Sequence, residues 1–245
     1  MIIVSCASRR AATLLAVLFL SVLLVSCSSS KQTPAVVIGD LPDDLGLAIS
    51  LDRDLDPYGA FTKWPSACEL VTDDTLTALL PQIQKIESTP EAAEYEVVQP
   101  DLTKVPGGTI SVPEARCTKK FTIGIGFLEQ NPGTLDITVV AAGSKEFVTN
   151  NVDRAQTTKF KVKGGTCGDA ADGIRCVDAS GRLHFRLTLQ LPHHGKSLKD
   201  PSRYDDGGEV RSFTTDKPDV QPREDYLNER LTRPIVQSIL TRLDS

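Results

Sequence analysis

The side chains here that could do chemistry are three histidines, six cysteines and several adjacent carboxylates. His184 falls in an alternating apolar stretch and is expected on the wet face of a strand. His193 and His194 sit side by side in Pro192-His193-His194-Gly195. Neighbours in a strand point to opposite faces, so both reach one metal only from a bent turn, with Asp205, Asp206 or Glu209 as partners. Solvated loop histidines are the simpler expectation. The pairs Asp43/Asp44, Asp73/Asp74 and Asp205/Asp206 are adjacent in sequence. Glycosidase-type acid and base work needs two carboxyls facing across a cleft. Asp52-x-Asp54-x-Asp56 resembles the opening of a calcium loop. Pro57 stands where that loop needs glycine, and Lys63 where it needs a bidentate glutamate. There is no Gly-x-Ser-x-Gly, no His-Glu-x-x-His and no Walker loop. The sequence therefore names no catalytic residue, no metal ligand and no cofactor site.

The cysteines are more informative. Arg9 and Arg10 precede the apolar run Ala11 to Val25, broken only by Thr13 and Ser21. Two arginines before a short apolar core are the layout of a secretory signal. Fifteen residues is short for a span, which needs about 20. Leu24-Val25-Ser26-Cys27 then looks like a bacterial lipobox, in which the cysteine receives a diacylglyceryl thioether and becomes the new N-terminus. The expected layout is a lipoprotein signal peptide over 1–26, a lipidated and flexible acidic tether over 27–60, and a single extracytoplasmic domain over 61–245. Cys6 would be discarded with the signal.

Four cysteines follow: Cys68, Cys117, Cys167 and Cys176. An even number in an exported chain reads as disulfides. Three pairings are possible. Cys68–Cys117 with Cys167–Cys176 is favoured, the second pair enclosing only eight residues around the turn dipeptide Asp172-Gly173. No Cys-x-x-Cys spacing supports zinc.

The whole chain carries a net charge of −5. Both signal-peptide arginines lie outside the mature chain and no acid does, which leaves −7. That argues against a nucleic-acid partner, which asks for a basic footprint. With aromatics at 5% and Trp64 the only tryptophan, a ring-stacking sugar groove is disfavoured.

The elements that must position these residues follow from pattern. Ser66-Ala67-Cys68-Glu69 has capping-box spacing, and Thr72-Asp73-Asp74 offers a second N-cap with acids in the first turn. Leu76, Leu79, Leu80 and Ile83 fall at helical spacing, with Pro81 expected to kink or divide the helix. Tyr95 to Val98 reads as a short strand, and Pro100 to Pro113 as a loop. Phe121, Ile123, Ile125 and Phe127 alternate with polar residues and glycines, as do Leu135, Ile137, Val139 and Ala141. Joined by Asn131-Pro132-Gly133, these form a hairpin. Ser144 to Gln156 reads as a helix capped by Ser144, with Phe147, Val148, Val152 and Ala155 on one stripe. Phe160 and Val162 open a strand, and Gly164 to Gly173 is a cysteine-bearing loop. Ile174 to Asp178 and Leu183 to Leu191 flank Ala179-Ser180-Gly181 as a second hairpin. Pro192 to Gly208 reads as a long polar loop. Leu227, Leu231, Ile235, Ile239 and Leu243 mark one face of a terminal helix over Glu224 to Leu243, with Pro234 a kink or a fresh start. The sum is an α+β domain. Antiparallel sheet packs against N-terminal, middle and C-terminal helices, stapled by disulfides.

With these features, the chain resembles a family of secreted actinobacterial lipoproteins whose domain has no assigned function. The lipobox at Cys27 and the Ser-rich tether carry the resemblance. So do Pro65-Ser66-Ala67-Cys68-Glu69-Leu70-Val71-Thr72 entering a helix and Cys117 opening a strand. Gly168-Asp169-Ala170 before the last hairpin and the helix ending Ile239-Leu240-Thr241-Arg242-Leu243 complete it. The family usually has proline directly before its first cysteine, where this chain has Ser66-Ala67 between. This chain also carries an extra cysteine pair and a long loop after Leu191. The resemblance implies an α+β surface domain with Cys68–Cys117 as its usual bridge, and no reaction.

The function expected from sequence is a non-catalytic lipoprotein on the outer face of the cell membrane. It would be held there through Cys27 and bind a protein partner or a small apolar ligand. An envelope hydrolase using carboxylates and an accessory docking subunit are the alternatives. Replacing Cys27 with alanine is expected to release the protein from membranes or leave the precursor uncut. Unchanged size and fractionation on immunoblots would refute lipidation.

Overall fold

The computed structural model describes residues 35–97, 108–125, 132–151, 158–170, 173–192, 202–208, 210–213 and 221–243. All belong to one unit that begins at Ala35. Cys27 lies outside the described residues. Among the described residues, no helix is long and apolar enough to cross a membrane.

A seven-stranded antiparallel sheet forms the frame, in the order β2-β3-β4-β8-β7-β6-β5. Its strands are β2 (Ile83–Glu96), β3 (Thr109–Ile123), β4 (Gly133–Ala142), β5 (Thr158–Val162), β6 (Gly165–Ala170), β7 (Gly173–Asp178) and β8 (Leu183–Gln190). A smaller sheet pairs β1 (Val36–Val37) parallel to β9 (Ser202–Asp205), which runs antiparallel to β10 (Val210–Phe213). The helices are α1 (Ala67–Leu70), α2 (Asp73–Leu79), α3 (Lys145–Asn151), α4 (Gln221–Leu227) and α5 (Arg233–Leu243). A π-turn over Asn228–Thr232 joins the last two.

Register explains the two-faced character of the sheet. One cross-strand row runs Val139, Phe185, Cys176, Cys167 and Phe160. Its first four members are buried. The neighbouring row on the opposite face runs Glu91, Arg116, Thr138, Arg186 and Arg175. There Arg186 Nη2 reaches Thr138 Oγ1 at 3.4 Å. Strand alternation thus puts apolar side chains under the helices and charged ones on the other side. Helix α1 lies on β3 and β4, and α5 lies on α2 and β7. The face expected for the terminal helix holds: Leu231, Ile235 and Ile239 are buried.

The two bridges are Cys68–Cys117 and Cys167–Cys176. The first ties α1 to β3. The second joins residues directly opposite one another on β6 and β7. Disulfides belong to oxidising, extracytoplasmic compartments.

Several expectations change. Residues 35–60, read as part of the flexible tether, are packed into the fold instead, while 27–34 lie outside the described residues. Val36, Ile38 and Ala60 are buried, and Ile38 N–H donates to the Asp205 carbonyl at 2.7 Å. Ser66 caps α1 without a side-chain hydrogen bond, so the capping box is not made. The second cap is: Thr72 Oγ1 accepts from Thr75 N–H at 3.1 Å. The helix ends at Leu79, so Ile83 opens β2 instead of continuing it. The strand expected to start at Tyr95 begins twelve residues earlier and pairs with β3, which starts at Thr109 inside the expected loop. Strand β2 is an edge, exposed on both faces along most of its length. It therefore shows no apolar alternation, and Pro90 is tolerated there because an edge strand can spare a donor. The cysteine-bearing loop over 164–173 contains strand β6. The polar loop after Pro192 contains β9. Two-residue alternation also misplaced His184, which is fully buried.

Loop-closure entropy predicts different costs for the two bridges. The cysteines are 49 residues apart in the first and 9 in the second. Replacing Cys68 and Cys117 with serine should cost about 4 kcal/mol, and replacing Cys167 and Cys176 about 2.5 kcal/mol, read from denaturant midpoints. The reverse order would mean that the bridges act through native packing.

Candidate functional site

Most residues singled out from sequence are committed to structure. Asp52 accepts from Thr62 Oγ1 at 2.8 Å and from Lys63 N–H at 3.0 Å. These and further backbone donors, the Thr62 hydroxyl first, hold its carboxyl below the usual range. Asp56 accepts from the Tyr58 and Ala60 amides at 2.8 and 2.9 Å. The Asp-x-Asp-x-Asp run is thus a set of turn-forming acceptors. Asp44 accepts from Gly46 N–H at 2.8 Å. Asp205 accepts from Gly207 N–H at 3.0 Å. Asp74 lies exposed in the first turn of α2. His193, His194 and Glu209 lie outside the described residues. Among the described residues, no three His, Cys, Asp or Glu side chains gather as a metal-holding group.

One cluster has the composition of a nucleophile and its base. Lys119 Nζ lies 3.0 Å from Ser88 Oγ and 2.6 Å from Asp73 Oδ1, with the lysine side chain buried. Ser-Lys pairs serve acyl transfer when the lysine accepts the serine proton. In an ion pair with Asp73, Lys119 is an ammonium and donates to both neighbours. Ser88 stands on the exposed edge strand β2. The cluster fastens α2 to β2 and β3.

The concave site lies at the other edge of the sheet, where a groove of about 540 Å³ opens, within the range of small-molecule pockets. The first wall is β5. A two-residue turn at Lys163-Gly164 closes the β5–β6 hairpin on the pair Val162 and Gly165. Gly164 adopts φ 86°, a left-handed conformation that glycine takes without a side-chain clash. Phe160 and Val162 then share the buried face of the sheet but stand at its margin, where each is only half covered.

The second wall is the junction of the terminal helices. Pro234 has no N–H to offer the Arg230 carbonyl, and the helix passes this point through the π-turn. Arg233 N–H reaches back to the Asn228 carbonyl. Arg230, Arg233, Pro234 and Gln237 line this side. The Arg233 guanidinium lies 4.8 Å from the centroid of the Phe160 ring, and Gln237 Nε2 donates to the Lys163 carbonyl at 3.2 Å.

The third wall is the N-terminal strap, Gly39 to Leu41, with Leu79 beneath it. Gly39 N–H donates to the Leu79 carbonyl at 3.0 Å. A Cβ on Gly39 would collide with the Ala78 carbonyl oxygen, so only glycine permits this approach.

Leu41, Leu79, Phe160, Val162 and Pro234 supply an apolar lining. The polar lining carries Lys161, Lys163, Arg230 and Arg233 against Asp40 and Glu229. Behind it, Asp206 Oδ2 accepts from Tyr226 Oη at 3.3 Å and faces Arg230 Nε at 3.7 Å. That distance is an ion pair beyond hydrogen-bond range, and the buried Arg230 Nε has no hydrogen-bond partner among the described residues. Burial, followed by the Asp206 charge and hydrogen bond, raises the Tyr226 phenol above its ordinary value. Sequence reading found Phe160 and Val162 as strand residues but none of the cations. Arginines on a helix's polar face look solvated, and nothing local brings residue 40 beside residue 160.

Comparison of the chain with known protein families, with curated proteins and with solved structures finds no match.

A raised Tyr226 value means that the folded state prefers the neutral phenol. This contribution to stability is intact below the ordinary value of 10.0 and is lost as pH rises through the folded value. Phenolate absorbance should show Tyr226 ionising late, with Tyr226→Phe as the assignment control. Asp206→Asn should reduce the delay without removing it, because burial is the larger cause. A delay abolished by Asp206→Asn would reverse that order.

Proposed function

We propose that this protein is a non-catalytic, extracytoplasmic binding protein whose groove between β5, the helix junction and the N-terminal strap carries a small, largely apolar ligand. The observation that supports this most is the groove itself, an apolar lining bounded by charged groups at the open margin of the sheet. Binding pockets combine such linings with a few placed polar groups. Attachment to the outer face of the cell membrane through a lipidated Cys27 fits this reading. So does the sequence's resemblance to secreted actinobacterial lipoproteins. A carrier at a membrane surface meets apolar ligands at their source.

The enzyme alternative draws less support. The structure uses Asp52, Asp56, Asp73 and Asp206 as turn acceptors, helix-start charges and ion-pair partners. In the groove, Asp40 and Glu229 are exposed, whereas a catalytic acid needs a carboxyl held out of water or against another charge.

The test is mass spectrometry of organic extracts from the full chain purified out of an exporting host. A stoichiometric apolar species should accompany the wild-type protein. Leu41→Trp, which fills the groove from the strap, should lose it while keeping an unfolding free energy within about 1 kcal/mol of wild type. Equal recovery from both proteins would place the ligand elsewhere, and a bare wild-type protein would count against the carrier reading.

A further inference from the structure

The groove's charge is unlike that of the chain around it. The whole sequence is acidic, at net −5, yet the lining holds four cations against two acids. The cations come from two walls: Lys161 and Lys163 from β5 and its turn, Arg230 and Arg233 from the helix junction. Among the described residues, none of the four donates a side-chain hydrogen bond to the protein. Elsewhere, arginine is put to structural use. Arg242 binds backbone carbonyls at 2.8, 3.0 and 3.2 Å, and Arg223 donates to Tyr204 Oη at 3.0 and 3.1 Å.

Arg230 is the most telling of the four. Its side chain keeps about a third of its exposure, at 34%. Among the described residues its buried Nε has no hydrogen-bond partner, and its ion pair to Asp206 is long. Arg233 lies over the Phe160 ring face, a contact that leaves the in-plane N–H donors free. Two guanidiniums that donate no side-chain hydrogen bond among the described residues, one of them also ion-paired to Asp206, stand over a hydrocarbon floor and are suited to an oxyanion, which arginine grips through paired N–H donors.

We propose that the groove selects a single-tailed anionic amphiphile, a carboxylate or phosphate head on an alkyl chain, with Arg230 and Arg233 holding the head. The tail lies against Leu41, Leu79, Phe160 and Val162. This rests on the carrier reading and adds the sign of the ligand's charge. Lys161 and Lys163 contribute attraction rather than direct grip, because both are exposed and act on the head through solvent.

Titration calorimetry of the full-length protein with four probes below their micelle concentrations separates the two claims. The probes are dodecanoate, dodecyl phosphate, dodecan-1-ol and dodecyltrimethylammonium. At least one anionic probe should bind tenfold or more tightly than the alcohol, and the cationic probe should bind least. Arg230→Gln with Arg233→Gln should weaken the anionic probe by about tenfold or more, the usual scale for hydrogen bonds to a charged group, and leave the alcohol unchanged. If that double variant misfolds by circular dichroism, Lys161→Gln with Lys163→Gln, both exposed, should still weaken the anion and flatten its salt dependence. Preference for dodecanoate would indicate fatty acids as the source, and preference for the phosphate would indicate lysophospholipids. Either supports the proposal. Alcohol binding as tight as both anions would overturn the charge selection and leave the carrier reading standing. Silence from all four probes would overturn both.

Discussion

A buried guanidinium closes this fold. Arg242, one residue from the end of α5, donates from Nε to the Leu47 carbonyl and from Nη1 to the Glu69 and Leu70 carbonyls. Its own carbonyl accepts from Ile49 N–H at 2.9 Å. One side chain thus joins the terminal helix, the end of α1 and a strap nearly two hundred residues away in sequence. Placing a cation there is costly, because burial favours its neutral form and lowers its proton affinity. The carbonyl ends of a short helix are acceptors without intrahelical partners, and they offset part of that cost. The terminal helix and this strap therefore reinforce each other. The strap covers Arg242, and Arg242 fixes the strap.

That closure also makes the groove. The strap runs from β1, through the tight approach of Gly39 to α2, to Leu41 at the groove's lip. From the other side, the π-turn beside Pro234 leaves Arg233 over Phe160 of β5 and Arg230 lining the groove. Strand β5 ends the sheet, so its buried-face residues Phe160 and Val162 have neighbours on one side only. The concavity is what remains where an edge strand, an interrupted helix and a strap meet without filling the space. Its lining comes from segments about 120 and 70 residues apart, each held by its own structural device.

How much of this could be read from sequence follows from which patterns are local. The terminal helix was legible because Leu231, Ile235 and Ile239 all face one core. The β3–β4 and β7–β8 hairpins were legible because each strand alternates apolar residues on its core face with mostly polar ones on the other. Strand β2 was not. It is wet on both faces, and its polar residues gave no period to detect. Strand β6 was hidden by Gly165 and Gly168. A Cβ at Gly165 would crowd the Val177 carbonyl and Leu240, so the glycine that suggests a loop is there to let α5 approach the sheet. His184 occupied a polar slot in a clean alternation, but period two assigns a side chain to a face without saying what covers that face. The cysteine spacing carried more long-range information than any other pattern, because a disulfide is a contact that residue type announces.

The groove's polar lining was illegible for a different reason. Cations at Lys161, Lys163, Arg230 and Arg233 each have an ordinary local explanation as edge-strand or helix-surface charge. Their meaning lies in convergence, which only tertiary structure creates. The strap sharpens the point. Its wall of the groove hangs on few direct bonds, chiefly Ile38 N–H to Asp205, Gly39 N–H to Leu79 and Val37 N–H to Gln82 Oε1. A ligand lying against Leu41 would add contacts that exist only when the strap is docked. Binding and strap docking are then linked equilibria, and each must strengthen the other by the same free energy. A site built partly on this strap is thereby sensitive to anything that strains the strap.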